Sequence, residues 1–160
     1  GEPLWTARSS IFARGEGGFG GTRGVSPTVR TPDREPDHVV EVPTLPQQAL
    51  LYRLCGDRNP LHSDPAFAAR AGYDAPILHG LCTYGMTCKA VSDILTDPSD
   101  GVVASLEAKF AGVLTPGETL RIRLWRNDST VQGQVTCVER NDAPVLTGVS
   151  AGLTRRPPTT

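Results

Sequence analysis

Apolar and polar positions alternate most regularly in the last third of the chain. In TLRIRLWRND (119–128), Leu120, Ile122 and Leu124 alternate with Arg121 and Arg123. That is the period of a strand with one face in a core and the other in water. VVASLEAKFAGVL (102–114), STVQGQVTCVERND (129–142) and PVLTGVSAGLT (144–154) read as further strands, joined by short turns such as TPGE. Between 80 and 95 the period changes. Leu81, Tyr84, Thr87, Cys88, Val91, Ile94 and Leu95 recur at helical spacing, which predicts the longest helix of the chain. Gly80 and Gly85 fall within it, although a glycine inside a helix costs ~1 kcal/mol against alanine. A close neighbour, or for Gly80 a place at the first helical position, would explain them.

Upstream, HVVEVP (38–43) has a short strand pattern. TLPQQALLYRLCGD follows as a short amphipathic helix, with Thr44 as N-cap, Pro46 in the first turn, Ala49, Leu50, Tyr52, Arg53 and Leu54 along it, and Gly56 to end it. DPAFAARAGYDAP (64–76) reads as a second short helix capped by Asp64, opened by Pro65 and closed at Gly72. Near the start, LWTARSSIFA (4–13) is strand-like through Trp5, Thr6, Ile11 and Phe12. Gly15, Gly17 and Gly20 then spell G-x-G-x-x-G. A dinucleotide site needs a helix to open at those glycines, and here a run with Pro27, Pro32 and Pro36 follows. The glycines are a flexible turn.

This order gives an α+β fold, an antiparallel sheet wrapped around one long helix. The first strand is cut off from the rest by a linker. Residues 1–21 are therefore expected to close a preceding domain, 22–38 to form the linker, 39–154 the main domain and 155–160 a disordered tail.

Composition narrows the function. The 160 residues are 38% hydrophobic and 21% charged, with a formal net charge of −1. That is ample for one core and leaves no basic field for nucleic acid or an anionic membrane. No apolar run approaches the ~20 residues of a membrane span, and no secretory signal pattern is read. Cys55, Cys82, Cys88 and Cys137 form no C-x-x-C pair. They are expected to be free thiols in a reducing cytosol rather than metal ligands.

Chemistry is concentrated in GDRNPLHSDP (56–65), which holds Asp57, Asn59, His62 and Asp64. On a continuous helix a spacing of five puts Asp57 and His62 ~140° apart. Pro60 disfavours the α conformation at Asn59, and a turn there, braced by the Asn59 side chain, can fold His62 back towards Asp57. An acid and an imidazole so placed can share a water, one accepting its proton while the other donates. The plain alternative is a helix-capping aspartate and a surface histidine. Asp64 is read as a cap, His79 as a residue packed at the start of the long helix, and His38 has no role. At Gly80 the unpaired N–H groups of a helix's first turn carry partial positive charge, and a glycine lets a carbonyl oxygen approach. That is the geometry of an oxyanion hole.

YRLCGDRNPLHSDP followed by PILHGLCTYG closely resembles the hydratase-2 motif of the MaoC-like enoyl-CoA hydratases, over roughly residues 40–152. The resemblance implies a hot-dog fold and hydration of trans-2-enoyl-CoA thioesters to (3R)-3-hydroxyacyl-CoA, or the reverse. It implies Asp57 and His62 as the catalytic pair and the Gly80 N–H as the carbonyl donor, with Asn59, His79 and Tyr84 on the substrate side. Beyond the CoA thioester itself, no cofactor is implied. LWTARSSIFARGEGGFGG resembles the last strand and linker of the degenerate hot dog that precedes the catalytic one in two-domain hydratases. The expected substrates are then long or bulky acyl chains, including steroid-derived ones, and the expected partner is a second hot dog, as a homodimer or on another chain. Arg53 or Arg58 could meet CoA phosphates, though lone arginines are commonly solvated surface. Two rival readings are a hot-dog acyl-CoA thioesterase and a non-catalytic acyl-CoA-binding subunit.

Overall fold

The alternation read in 119–128 is realised as a strand, Thr119–Arg126, whose Leu120, Ile122 and Leu124 are fully buried. The computed structural model describes residues 3–11, 15–22 and 30–155. Its five strands are β1 (His38–Pro43), β2 (Val102–Phe110), β3 (Thr119–Arg126), β4 (Thr130–Cys137) and β5 (Ala143–Thr154). They form one antiparallel sheet in the order β1-β3-β4-β5-β2. Three α-helices lie between β1 and β2: α1 (Gln48–Tyr52), α2 (Pro65–Arg70) and α3 (Gly80–Asp93). The long helix α3 packs on the concave sheet, against β2 and β3. This is the α+β hot-dog fold expected from the sequence.

Two irregularities in the long β2–β5 pair, at Val103/Ser105 and Glu107/Lys109, bend the sheet. The curved face receives Cys82, Ala90 and Val91 of α3, which share one core with Leu120, Ile122, Leu124, Val131, Val135, Leu146 and Val149. Each large aliphatic side chain so buried contributes about 1.5–3 kcal/mol. Thr83 and Thr87 are buried on the same helix face. Their hydroxyls donate back to the Gly80 and Thr83 carbonyls at 2.7 and 2.8 Å, so no polar atom is left without a partner there.

The face of α3 turned to the sheet keeps Thr87 and Val91 of the expected pattern, but it is shifted at the helix start. Leu81 is 61% exposed, while Cys82, Thr83 and Ala90 are buried. Small side chains, Cys82, Thr83 and Ala90, are buried on this face together with Val91. Gly80 is the first helical residue, as expected, with the Phe110 ring beside it; no side chain or backbone stands within 4 Å of a Cβ placed on Gly85. The expected close neighbour at Gly85 is therefore not found among the described residues.

Thr44 does not cap α1. Its hydroxyl donates to the Glu118 carbonyl at 2.7 Å and accepts from the Gly117 N–H at 2.8 Å, tying the end of β1 to the turn before β3. The helix starts later, after Gln47, and continues as a 3-10 turn over Arg53–Cys55 that Gly56 ends in a left-handed conformation. α2 is built as expected, with the Asp64 carboxylate accepting from the Ala66 and Phe67 N–H groups.

The strand expected over 4–13 is not formed in its described part. Residues 3–11 have no strand, and Leu4, Trp5 and Ile11 are 97%, 78% and 90% exposed. A strand is stable only against a partner's ladder, and no described segment runs beside this one. Phe12 and Ala13 lie outside the described residues. Gly15 to Gly20 begin no helix, in keeping with the rejection of a dinucleotide site. Of the tail, only Arg155 is described.

Residues 30–37, within the stretch read as a linker, are anchored. Asp37 takes two bonds from Arg34 at 2.6 and 2.9 Å and the backbone N–H of Arg126 at 2.7 Å, while the buried Trp125 indole donates to the Arg34 carbonyl at 2.8 Å. The Arg34 guanidinium, and then the Arg126 N–H, lower the Asp37 carboxyl from 3.8 to about 2. A carboxylate depressed in the fold stabilises it above the unfolded value and loses that effect as the pH falls through the folded one. Asp37→Asn should therefore lower the urea midpoint at pH 7. The gap from the parent should shrink as the pH drops from about 4 towards 2, the window set by the 3.8 and about 2 of this group.

One further position tests the fold. A Cβ on Gly112 would stand 2.3 Å from the Pro144 carbonyl oxygen, a backbone atom that cannot swing away. Gly112→Ala should destabilise by about 1–3 kcal/mol or more, read by thermal or denaturant unfolding.

Candidate active site

Two loops and one helix start meet at a single place. The first loop leaves the 3-10 turn at Gly56. The Asp57 carboxylate accepts from the Asn59 N–H at 3.1 Å, and the Asn59 side-chain oxygen accepts from the Leu61 N–H at 3.0 Å. Pro60 then opens a single 3-10 turn, Pro60–His62. The Asn-Pro bend is thus braced by side-chain bonds to its own backbone, as the residue types require. Arg53 fastens it from α1's end, donating to the Asn59 carbonyl at 3.3 Å and the Ser63 hydroxyl at 3.2 Å. The arginine considered for CoA phosphates is in this structure a brace of the loop, while Arg58 is exposed.

The second loop carries Ile77, Leu78 and His79 into Gly80. It is held by backbone bonds from the Ile77 N–H to the Leu61 carbonyl (3.3 Å) and from the Leu78 N–H to the Leu114 carbonyl (2.7 Å). The half-buried His62 lies between the loops, its Nδ1 within 2.7 Å of the Ile77 carbonyl. A carbonyl only accepts, so Nδ1 carries the proton, and the Nε2 lone pair of the neutral ring is left for chemistry.

His79 is 1% exposed. Its ring stacks on His62 at 3.7 Å between centroids, tilted by 27°, and the Tyr52 ring stands 4.7 Å away on another side. Its Nε2–H donates to the Asp57 backbone carbonyl at 3.3 Å. Burial, and then the neighbouring His62, push the His79 imidazole below its ordinary value, opposed by Asp57. Burial also pushes the Tyr52 hydroxyl up.

One carboxylate oxygen of Asp57 and one ring nitrogen each of His62 and His79 lie within 4.8 Å of one another. The set has the residue types of a metal centre but not the geometry. Imidazole lone pairs lie in the ring plane, so two stacked rings cannot aim at one ion ~2.1 Å from each. Two of the four ring nitrogens are in addition committed to carbonyls. The arrangement suits proton transfer between Asp57, His62 and a water held by both.

Gly80 opens α3, and its N–H precedes the first intrahelical bonds, which run from Cys82 and Thr83 to the His79 carbonyl. A Cβ there would meet the Phe110 ring at 3.0 and 3.1 Å. Glycine thus keeps the donor uncovered while Phe110 supplies an apolar wall. Tyr84 has its hydroxyl bonded to the Leu106 carbonyl of β2, which ties helix to sheet.

Three features of this site have no sequence signal: the Ile77 carbonyl, the Phe110 ring over Gly80, and the stacking of His79 on His62. The first is a backbone atom, and the other two depend on segments brought together only by the fold.

Residues 27–145 match the MaoC like domain. The chain belongs to the MaoC-like domain family. Among MaoC-like relatives, it is 60% identical over 146 residues to the enoyl-CoA hydratase ChsH3 of Mycobacterium tuberculosis, covering 91% of this chain and 51% of that protein. The structure of full-length peroxisomal multifunctional enzyme type 2 from Drosophila melanogaster superposes with a TM-score of 0.75 at 40% identity, over 82% of this chain and 24% of that one. A MaoC-like dehydratase from Phytophthora capsici does so with a TM-score of 0.76 at 34% identity, over 84% of this chain and 48% of that one. The chain spans about half the length of the first curated relatives it matches, 51% and 42%.

The helix-to-sheet tie can be tested directly. Tyr84→Phe leaves the Leu106 carbonyl without its donor and should lower stability by about 1 kcal/mol in chemical denaturation.

Proposed function

We propose that the chain carries the catalytic half of an enoyl-CoA hydratase. The observation that carries this reading is the meeting of Asp57 and His62 beside the start of α3, with His62 Nδ1 held by the Ile77 carbonyl at 2.7 Å. The bound water sits between the Asp57 carboxylate and His62 Nε2. Its oxygen adds to C3 of the trans-2-enoyl thioester, and one of its protons passes to the pair. The pair returns a proton to C2, so water is added across the double bond and the pair ends as it began. Charge that builds on the thioester oxygen meanwhile is met by the Gly80 N–H, and losing one such donor costs ~3 kcal/mol of transition-state stabilisation. The reverse dehydration follows the same path backwards. No resident cofactor or metal takes part in these steps.

The relatives named hydratase support this reading, as does the resemblance of the two motifs to the hydratase-2 motif. We further propose that the acyl chain is long or bulky, including steroid-derived chains. The Phe110 wall beside Gly80 suits an apolar substrate. The partner is a second hot dog, either a preceding domain or another copy. Leu50, Leu54, Leu81 and Phe110 are 54%, 84%, 61% and 51% exposed, apolar side chains that such a partner would cover. Residues 1–21 then end that preceding domain, and 22–38 lead into the catalytic one. No helix among the described residues is long and apolar enough to cross a membrane. The four unpaired cysteines agree with a reducing, cytoplasmic setting.

The test is an assay of crotonyl-CoA and of bulkier enoyl-CoAs by loss of the enoyl-thioester absorbance. Asp57→Asn and His62→Ala should each lower the rate by about 10²-fold or more while thermal melting shows a folded protein. Release of free CoA thiol without loss of the double bond would make the protein a thioesterase instead. Full activity in both variants would remove these residues from the site.

A further inference from the structure

The reaction steps above leave His79 unused, yet no side chain in the site is more deeply placed. It touches both members of the pair and belongs to neither. Its ring stacks on His62 at 3.7 Å, its Nε2–H holds the Asp57 carbonyl at 3.3 Å, and its own backbone leads into Gly80. Its Nδ1 is buried without a hydrogen-bond partner among the described residues. Such an atom rarely persists in a fold unless the rest of the side chain is held for another reason.

We propose that His79 is a positioning residue: its ring fixes the face of His62 and its Nε2–H fixes the backbone of Asp57, so that the two groups meet one water. The inference rests on the hydratase reading for its kinetic consequence, but not for its geometry. Each contact acts on a different member. Without the stacked ring, His62 keeps its bond to Ile77 but can rotate about it. Without the bond to the carbonyl, the exposed Asp57 loop loses its only side-chain tether from α3's side among the described residues.

The proposal requires a neutral His79 with its proton on Nε2. A proton on Nδ1 would be buried without an acceptor, and a second positive ring could not stack on a protonated His62. The groups facing His79 are Tyr52 and Arg53 from the end of α1, Asp57 from the loop and His62 from the turn. Of these only Asp57 favours the charged ring, while Arg53, His62 and burial oppose it. This differs from a substrate-contacting role, because neither ring nitrogen is offered to solvent: one is bonded to Asp57 and the other is buried.

Two variants separate the contacts. His79→Phe keeps a ring against His62 but has no donor for the Asp57 carbonyl; His79→Gln keeps a donor but has no ring. Each should lower kcat by about tenfold or more, with KM within about twofold of the parent, since misplacing a reacting group by an ångström costs up to about 10²-fold. Unchanged kcat in either variant, or a raised KM with kcat intact, would overturn the proposal; the second result would make His79 a substrate contact. Nitrogen-15 NMR of the parent protein's imidazoles decides independently of folding in the variants and of any activity. It should show His79 neutral with its proton on Nε2, and His62 with its proton on Nδ1 near neutral pH. A charged His79, or one with its proton on Nδ1, would overturn the proposal even in an active hydratase. A protein with those tautomers and no hydratase activity would instead overturn the functional reading and leave the geometry standing.

Discussion

The site depends on one bond, that between His62 Nδ1 and the Ile77 carbonyl. It joins two loops fifteen residues apart in sequence, and it settles which nitrogen of His62 holds a proton. Without it the ring could adopt either tautomer, and the proposed base needs its lone pair on a defined side. Because the acceptor is a backbone atom at the threshold of α3, the same contact sets the distance from the imidazole to the helix N-terminus. The His62 ring and the Gly80 N–H are therefore placed by one piece of chain.

That piece of chain is in turn held by the sheet. The Leu78 N–H binds the Leu114 carbonyl just after β2, and the curvature of β2 and β5 fixes where α3 can lie. The core beneath is small-residue packing along α3 against large aliphatics from β3, β4 and β5. A helix packed into a shared core cannot shift along its axis without unpacking that contact. Rigidity at Gly80 is thus a property of the whole domain rather than of the loop before it.

Much of this was legible in the residues. The alternation of Leu120, Ile122 and Leu124 with two arginines, the helical period after Gly80, and the Asn-Pro bend all became what their types dictate, because each signal is local. The failures are non-local. Thr44 looks like a helix cap, but the turn at Gly117–Glu118 competes for its hydroxyl and wins with two bonds. Leu81 fits the helical period, yet it stays exposed while Cys82, Thr83 and Ala90 are buried beside the expected Thr87 and Val91. Trp5, Ile11 and their neighbours have strand-forming side chains, but propensity makes no ladder without an adjacent strand. At the site, side-chain identity announced Asp57 and His62. What makes them a pair is a carbonyl, a stacked ring and an arginine brace, and none of these has a signature in sequence.

Asp57 and His62 are held differently, and the difference suits the roles proposed for them. His62 is half-buried, clamped at Nδ1 and stacked on one face, so its free nitrogen has a fixed direction. Asp57 is exposed; its carboxylate accepts from the Asn59 N–H, and its backbone is the part that His79 holds. A carboxylate can accept along several directions, whereas an imidazole lone pair has only one. Rigidity is therefore needed most at the ring, and the contacts gather there. Asp57 is exposed, as are Leu54 and Cys55 of the 3-10 turn before it. In water a carboxylate and an imidazole share a proton weakly, and the interaction strengthens as solvent is excluded. The proposed apolar acyl chain or second hot dog, by covering the exposed Asp57, would supply the low-dielectric environment that this domain alone does not.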